Sequence, residues 1–269
     1  MSLNMSAGNE MALIPFLALP WQYSLIVFSL GISIGSFLNV VVWRLPRGEG
    51  VAAGRSHCPA CGHNLSVIDL IPLLGYFFLK GRCRYCRAPI SARYPLVEFA
   101  TGCFFLLALW QQGLSVGTVG LCWFYSVLLA VSLIDIDYQI IPDRLLLAGL
   151  PAVVLLFFAA TSPGWVSLLI GGTGGFLFLL AIVLISRGGM GGGDVKLAGY
   201  LGLCLGWKLL SIALFLGFIL GGLVGVYLLI FKKKGRKDEV PFGPFLAIGG
   251  VLAALAGSWL WQWYWGFLG

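Results

Sequence analysis

The chain has 269 residues, of which 59% are hydrophobic and 10% charged, and its mean hydropathy is +0.97. Soluble domains carry about 25% charged residues, so the composition excludes a water-soluble globular protein and predicts an all-α polytopic membrane protein. The net charge of +7 calls for no nucleic acid, because membrane topology and anionic lipid account for it.

Residues 1–20 form an N-terminal segment to which no fold is assigned. No cleavable signal peptide is expected there: the first apolar segment, 12–43, is too long for a signal core and lacks a basic leader. Uncharged runs of about 17–25 residues can cross a bilayer. Such runs lie near 21–43, 96–113, 117–134, 145–161, 165–186, 195–206, 209–231 and 245–265, giving about eight transmembrane helices. The 195–206 run is short. It reads as a tilted or broken helix, or as part of one long helix continuing past Trp207. Gly31/Gly35 and Gly217/Gly221/Gly225 have the spacing of close helix contacts in lipid and are read as packing positions. The C-terminal "SWLWQWYWG" reads as an interfacial aromatic girdle.

The division that follows is a first helix over 21–43, a soluble module over 44–95 and a membrane-embedded remainder over 96–269. The module holds Arg44, Arg47, Arg55, Lys80, Arg82, Arg84, Arg87 and Arg93, and a second basic run occupies 232–237. With eight spans and an outside N-terminus, every Lys and Arg except Lys208 falls on the cytoplasmic side.

The module is too small to build much core, and it contains "CPAC" and "CRYC". Cys58, Cys61, Cys83 and Cys86 therefore read as a tetrahedral four-thiolate zinc site whose metal supplies folding energy. Two disulfides or a redox pair are the alternative, disfavoured in reducing cytosol. His57 and His63 flank the first pair and are assigned surface roles. Cys103, Cys122 and Cys204, within spans, are read as small hydrophobes.

Of ten acids, Glu10, Glu49, Asp69, Asp238 and Glu239 fall in loops, and Glu98 begins the second span. Asp135, Asp137, Asp143 and Asp194 sit at span ends, where an ionisable group is a functional candidate. Asp135 and Asp137 are two apart on a helix and point to different faces. Asp143 is explained as a helix N-terminal acid. Asp194 also fits an N-cap, but the glycines of 188–193 exceed what a cap needs. They read as a hinge that reaches positive φ and lets an extended peptide lie beside Asp194. Two nearby carboxyls cannot both ionise easily and share a proton. One can then act as base on a water while the other donates to a carbonyl oxygen, as in aspartic peptidases. An ion or proton transporter would also use paired acids.

The chain resembles the type IV prepilin peptidases, the leader peptidase and N-methyltransferase enzymes of type IV pilus and type II secretion systems. The resemblance is carried by "GSFLNVVVWRLP" (35–46), the two cysteine pairs with "ISARYPLVE" (90–98), "IDIDYQIIPD" (134–143), "GMGGGDVKL" (189–197) and "VPFGPFLA" (240–247). It implies that Asp135, seven residues before Pro142, and Asp194, in the G-x-G-D motif, are the catalytic pair. Gly191, Gly193, Lys196 and Asp143 are then supporting residues. It further implies prepilin or pseudopilin substrates cleaved at the cytoplasmic face of the bacterial inner membrane, and methylation of the new N-terminus from S-adenosylmethionine. Pilus or type II secretion machinery is implied as a further partner. No residue marks a methyl-donor pocket, and no Rossmann-type glycine motif is present.

Overall fold

A computed structural model describes residues 20–51, 54, 56–186, 190–231 and 241–268. Residues 1–19, Arg55, Arg187, Gly188, Gly189 and the basic run 232–237, all used in the sequence reading, lie outside the described residues. Regular structure among the described residues is helical: α1 (Trp21–Arg44), the short α2 (Leu74–Phe78), α3 (Arg93–Gln112), α4 (Val116–Tyr138), α5 (Asp143–Phe157), α6 (Trp165–Ile185), α7 (Gly192–Ile230) and α8 (Gly243–Leu268). Two 3-10 turns, Leu45–Arg47 and Ile68–Leu70, and two isolated antiparallel bridges, His57 with Asn64 and Arg82 with Pro89, complete it. Contacts divide the chain into two compact units, Met1–Ser126 and Val127–Gly269.

In the first unit α1 packs on α3 through glycine. A side-chain carbon at Gly31 would lie 2.7 Å from Gly102 Cα, and one at Gly35 would lie 2.6 Å from Glu98 Cα. The small-residue spacing is thus a helix contact, as expected. Tyr125, fully buried, donates its hydroxyl to Gln111 Oε1 at 2.8 Å.

The soluble module is one motif used twice. Cys58 N–H bonds the His63 carbonyl (2.9 Å), Gly62 N–H the Cys58 carbonyl (2.8 Å) and Leu65 N–H the Ser56 carbonyl (2.8 Å). Twenty-five residues on, Cys83 N–H bonds Ala88 (2.8 Å), Arg87 N–H bonds Cys83 (3.0 Å) and Ile90 N–H bonds Gly81 (2.8 Å). The residue after each second cysteine is left-handed, Gly62 at φ 70° and Arg87 at φ 62°. Glycine reaches that region freely, whereas arginine does so at a cost.

Among the described residues, six helical stretches are long and apolar enough to cross a membrane by length and composition, α5 falling short. Its 15 residues rise about 22 Å, less than the ~30 Å hydrocarbon core. The 195–206 and 209–231 runs belong to the one stretch α7, interrupted at Gly206 (φ 74°, ψ 170°). The chain reverses there. A carbon at Gly175 would lie 2.8 Å from both Ala198 O and Leu210 Cδ2. In a straight helix residues 198 and 210 would stand ~18 Å apart. Gly206 is also closely enclosed, since a side-chain carbon there would meet Ser167 Oγ at 2.6 Å and Pro163 Cγ at 2.9 Å. The two limbs of α7, residues 192–205 and 207–230, thus occupy the places of two expected spans.

α8 packs against the second limb. Gly217 and Gly221 meet Phe245 and Phe242, while Gly225 faces no atom of the described residues within 4 Å, so two of the three spaced glycines are contact positions among the described residues. The aromatic cluster gathers at the other end of these helices. Trp207 and Trp261 form an edge-on pair, and the Lys208 Nζ lies 5.8 Å from each ring centre. Trp259, Trp263, Tyr264 and Trp265 are exposed, as an interfacial girdle requires.

Candidate functional site: a carboxylate pair and a four-cysteine cluster

The carboxylate pair is built at the beginnings of two helices in the second unit. Asp135, near the end of α4, is 5% exposed, and its Oδ2 accepts the Gly243 N–H at 2.9 Å, where α8 starts. Asp194, in the first turn of α7, is 6% exposed, and a side-chain carbon at Gly191, just before that helix, would stand 3.5 Å from its Oδ2. Each acid therefore sits at the positive end of a helix.

The turn between α4 and α5 fits into this arrangement. Gln139 adopts φ 54° and donates its N–H to the Asp135 carbonyl at 2.9 Å. Ile141 then lies between two glycines. A side-chain carbon at Gly193 would stand 2.8 Å from Ile141 Cβ, and one at Gly243 would stand 3.3 Å from Ile141 Cδ1 and 2.7 Å from Asp135 Oδ2. The glycines here make room for Ile141 and a carboxylate. This corrects the hinge expectation in part: Gly192 and Gly193 are helical, and no described glycine of 191–193 has positive φ. Asp143 starts α5 and pairs with Lys196 of α7 at 2.6 Å, both half or more exposed. Asp137 is exposed while Asp135 is buried, as their two-residue spacing required.

Sequence reading assigned no role to Gly243 or Ile141. The visible signal for Gly243 was a glycine flanked by "PF" on both sides at the start of an apolar run. Its partner, 108 positions away, left no local mark.

The second candidate is the cysteine cluster of the first unit. The four Sγ atoms of Cys58, Cys61, Cys83 and Cys86 all lie within 4.8 Å of one another, with Cys58 and Cys86 at 3.9 Å. Sulfurs at ~2.3 Å from a tetrahedral zinc stand ~3.8 Å apart, so the donor set fits that metal. The chain's seven cysteines are all free of disulfides. The backbone N–H groups of Cys61 and Ala60 aim at the Cys58 sulfur and bring its thiol down to about 7, toward the thiolate a metal needs. His57 and His63 are not in the cluster. The His63 ring lies 3.6 Å, centre to centre, from Tyr85, a surface role as read.

A third grouping joins motifs that sequence reading left without a shared role. Glu98 of α3 is buried, accepts the Leu73 N–H at 2.7 Å and packs its Cα against Gly35 of α1. Asn39 of α1 donates to the Tyr94 carbonyl at 3.2 Å. Leu73 itself (φ 60°, ψ −54°) forms a γ-turn, closed by Leu74 N–H to Pro72 O at 2.6 Å.

Comparison with known proteins agrees with this organisation. The Bacterial Peptidase A24 N-terminal domain matches residues 29–112, and the Type IV leader peptidase family matches residues 122–226. The chain is 38% identical to the prepilin leader peptidase/N-methyltransferase of Aeromonas hydrophila, over 91% of this chain and 95% of that protein. It is 36% identical to the protein of the same name from Bacillus subtilis (strain 168), over 87% and 94% of the two chains. For the Pseudomonas putida protein the identity is 37%, over 92% and 96%. No solved structure matches the chain. The apolar helices and these relatives together make it a multi-pass inner-membrane protein. With two profiles matched in order and relatives aligned over nearly its full length, the chain belongs to the type IV leader peptidase family.

Proposed function

We propose that this chain removes the leader peptide from type IV prepilins or type II secretion pseudopilins and methylates the new N-terminal amine. The observation that carries the reading is the pair Asp135 and Asp194, buried in an apolar bundle and each held at a helix N-terminus. One carboxylate takes a proton from a water that attacks the scissile carbonyl carbon. The other donates its proton to the carbonyl oxygen, and the first then passes the proton it took from the water to the leaving amine. Gly191, Gly193 and Gly243 keep side chains out of the space beside the carboxylates. Lys196 and Asp143 tie the start of α7 to the start of α5 and steady the turn bearing Ile141.

Cys58, Cys61, Cys83 and Cys86 hold a structural zinc, which supplies the folding energy that a small module lacks. The module and the carboxylates face the cytoplasm, where basic residues concentrate. In this reading residues 96–269 are the peptidase domain, and 44–95 are a module inserted after the helix at 21–43.

S-adenosylmethionine supplies the methyl group to be transferred. The apolar groove of the second unit, about 490 Å³ and lined by Gly171, Phe178, Trp207, Leu214 and Phe218 among others, offers no charged side chain and does not suit a charged donor. Methyl transfer is assigned to the module side, because a water-exposed module can hold a soluble donor in place. Incubating purified protein with a prepilin and a labelled methyl donor tests the two activities together. Shortened product bearing label is expected. Shortened product without label would remove the methyltransferase assignment, and no shortening would remove the peptidase assignment.

A further inference from the structure

A cytosolic module of some fifty residues would be expected to bury its large apolar side chains and expose its acids. The segment 67–78 does the opposite. Val67 (83%), Ile68, Leu70, Ile71, Leu74, Phe77 (68%) and Phe78 (78%) are all exposed. The one acid of the segment, Asp69, is turned inward. Its side chain is 1% exposed, its Oδ2 accepts the Ser66 hydroxyl and N–H at 2.7 and 3.0 Å, and its Oδ1 pairs with Arg84 at 2.7 Å. An apolar patch of this extent marks a membrane or protein contact.

The place of the segment decides between the two. Glu98 lies five residues beyond the start of α3, about 7.5 Å along it. Gly35 lies nine residues before the end of α1, about 13.5 Å in. Glu98 holds the Leu73 N–H at 2.7 Å, and a side-chain carbon at Gly35 would lie 2.6 Å from its Cα. The turn at 72–74 is therefore drawn down beside two membrane-crossing helices, below their ends, and the apolar residues on both sides of it are held at that depth. Immediately after the patch come Lys80, Arg82 and Arg87, all exposed, which matches the charge of an anionic lipid surface.

We propose that residues 67–78 are an in-plane membrane anchor: Val67, Ile68, Leu74, Phe77 and Phe78 enter the lipid interface while the cysteine knuckles stay in water. Glu98 is the latch that sets the depth. The occupant of the patch is lipid, and the claim is independent of the catalytic assignments.

The test replaces Val67, Phe77 or Phe78, one at a time, by photoreactive p-benzoylphenylalanine in the full chain. Each protein is reconstituted in vesicles of phosphatidylethanolamine and phosphatidylglycerol, irradiated and analysed by mass spectrometry. Asn64, exposed in the first knuckle, is the reference position. Phospholipid adducts at 67, 77 and 78 are expected at about tenfold or more the yield at 64, as for side chains inserted in the interface. Lipid yields no higher than at Asn64 would overturn the proposal. So would adducts mainly to a second copy of the chain or to added prepilin, which would make the patch a protein contact. Three positions keep the result from resting on a single replacement, and monodisperse elution of each protein establishes that it is folded.

Discussion

The cysteine module and the carboxylate pair are assembled in opposite ways. In the module each half is closed by three backbone hydrogen bonds spanning no more than nine residues, and the second half repeats the first. The pair draws on positions 135, 141, 194 and 243, brought together by the packing of separate helices. A locally closed unit needs only its own residues and a metal to hold its shape. A site built from distant helices depends on every packing contact beside it, and small intrusions there should cost more than their size implies.

The largest effects should therefore come from small intrusions at the pair. A methyl group at Gly243 would stand 2.7 Å from Asp135 Oδ2, so Gly243→Ala is expected to lower kcat for leader cleavage by roughly 100-fold, as misplacement by about an ångström does. The zinc content should stay at that of the parent. An unchanged cleavage rate would mean that the space at Gly243 is not needed.

Next comes the module. Cys58→Ser with Cys61→Ser should abolish the expected single equivalent of zinc and reduce methyl transfer more than cleavage. If both activities fell in step, the module would be a brace for the whole enzyme. If methylation survived, the donor site would lie elsewhere.

A smaller effect is expected at the surface ion pair. Lys196 and Asp143 are both well exposed, and such pairs contribute about 0–1 kcal/mol. Lys196→Met should reduce cleavage by roughly two- to fivefold, with weaker salt dependence than the parent. A loss as large as that at Gly243 would give Lys196 a direct role.

The smallest effect concerns acid sensitivity. Burial alone would raise the Asp69 carboxyl, but the Ser66 hydroxyl and N–H and the Arg84 guanidinium outweigh it and hold it below the ordinary value. Its stabilisation is therefore full above the ordinary aspartate range and lost as pH falls through the lowered value. Asp69→Asn should cost about 1 kcal/mol at neutral pH and flatten this part of the acid unfolding curve. An unchanged curve would show that another group sets it.

The same contrast explains what could be read from the sequence. The cysteine cluster was legible because its information is local: two C-x-x-C pairs at a metal-binding interval. The doubled backbone pattern was not, since Arg87 takes a left-handed conformation that no arginine advertises. Asp135 and Asp194 stood out as acids among apolar residues, and Asp137 was separated from Asp135 by helical spacing alone. The place of Ile141 between Gly193 and Gly243 depends on the packing of helices whose separation along the chain gives no clue. Gly206 is an intermediate case. The two limbs of α7 were visible as separate runs, whereas the reversal between them requires knowing that Ala198 and Leu210 meet the same glycine. The inverted module face was written plainly as "SVIDLIPLLGYFF", but only its exposure distinguishes it from a buried core.

The most direct test of the central claim is a double-variant cycle on the carboxylates. Cleavage of a prepilin is measured under single-turnover conditions for Asp135→Asn, Asp194→Asn and the double variant. Asparagine keeps the shape and the acceptor for Gly243 while removing acid–base chemistry. If the two act as one unit, each single change costs on the order of 10³–10⁵ in rate and the double change costs no more than the worse single. Near-parental cleavage by either single variant, or losses that multiply in the double, would contradict the account.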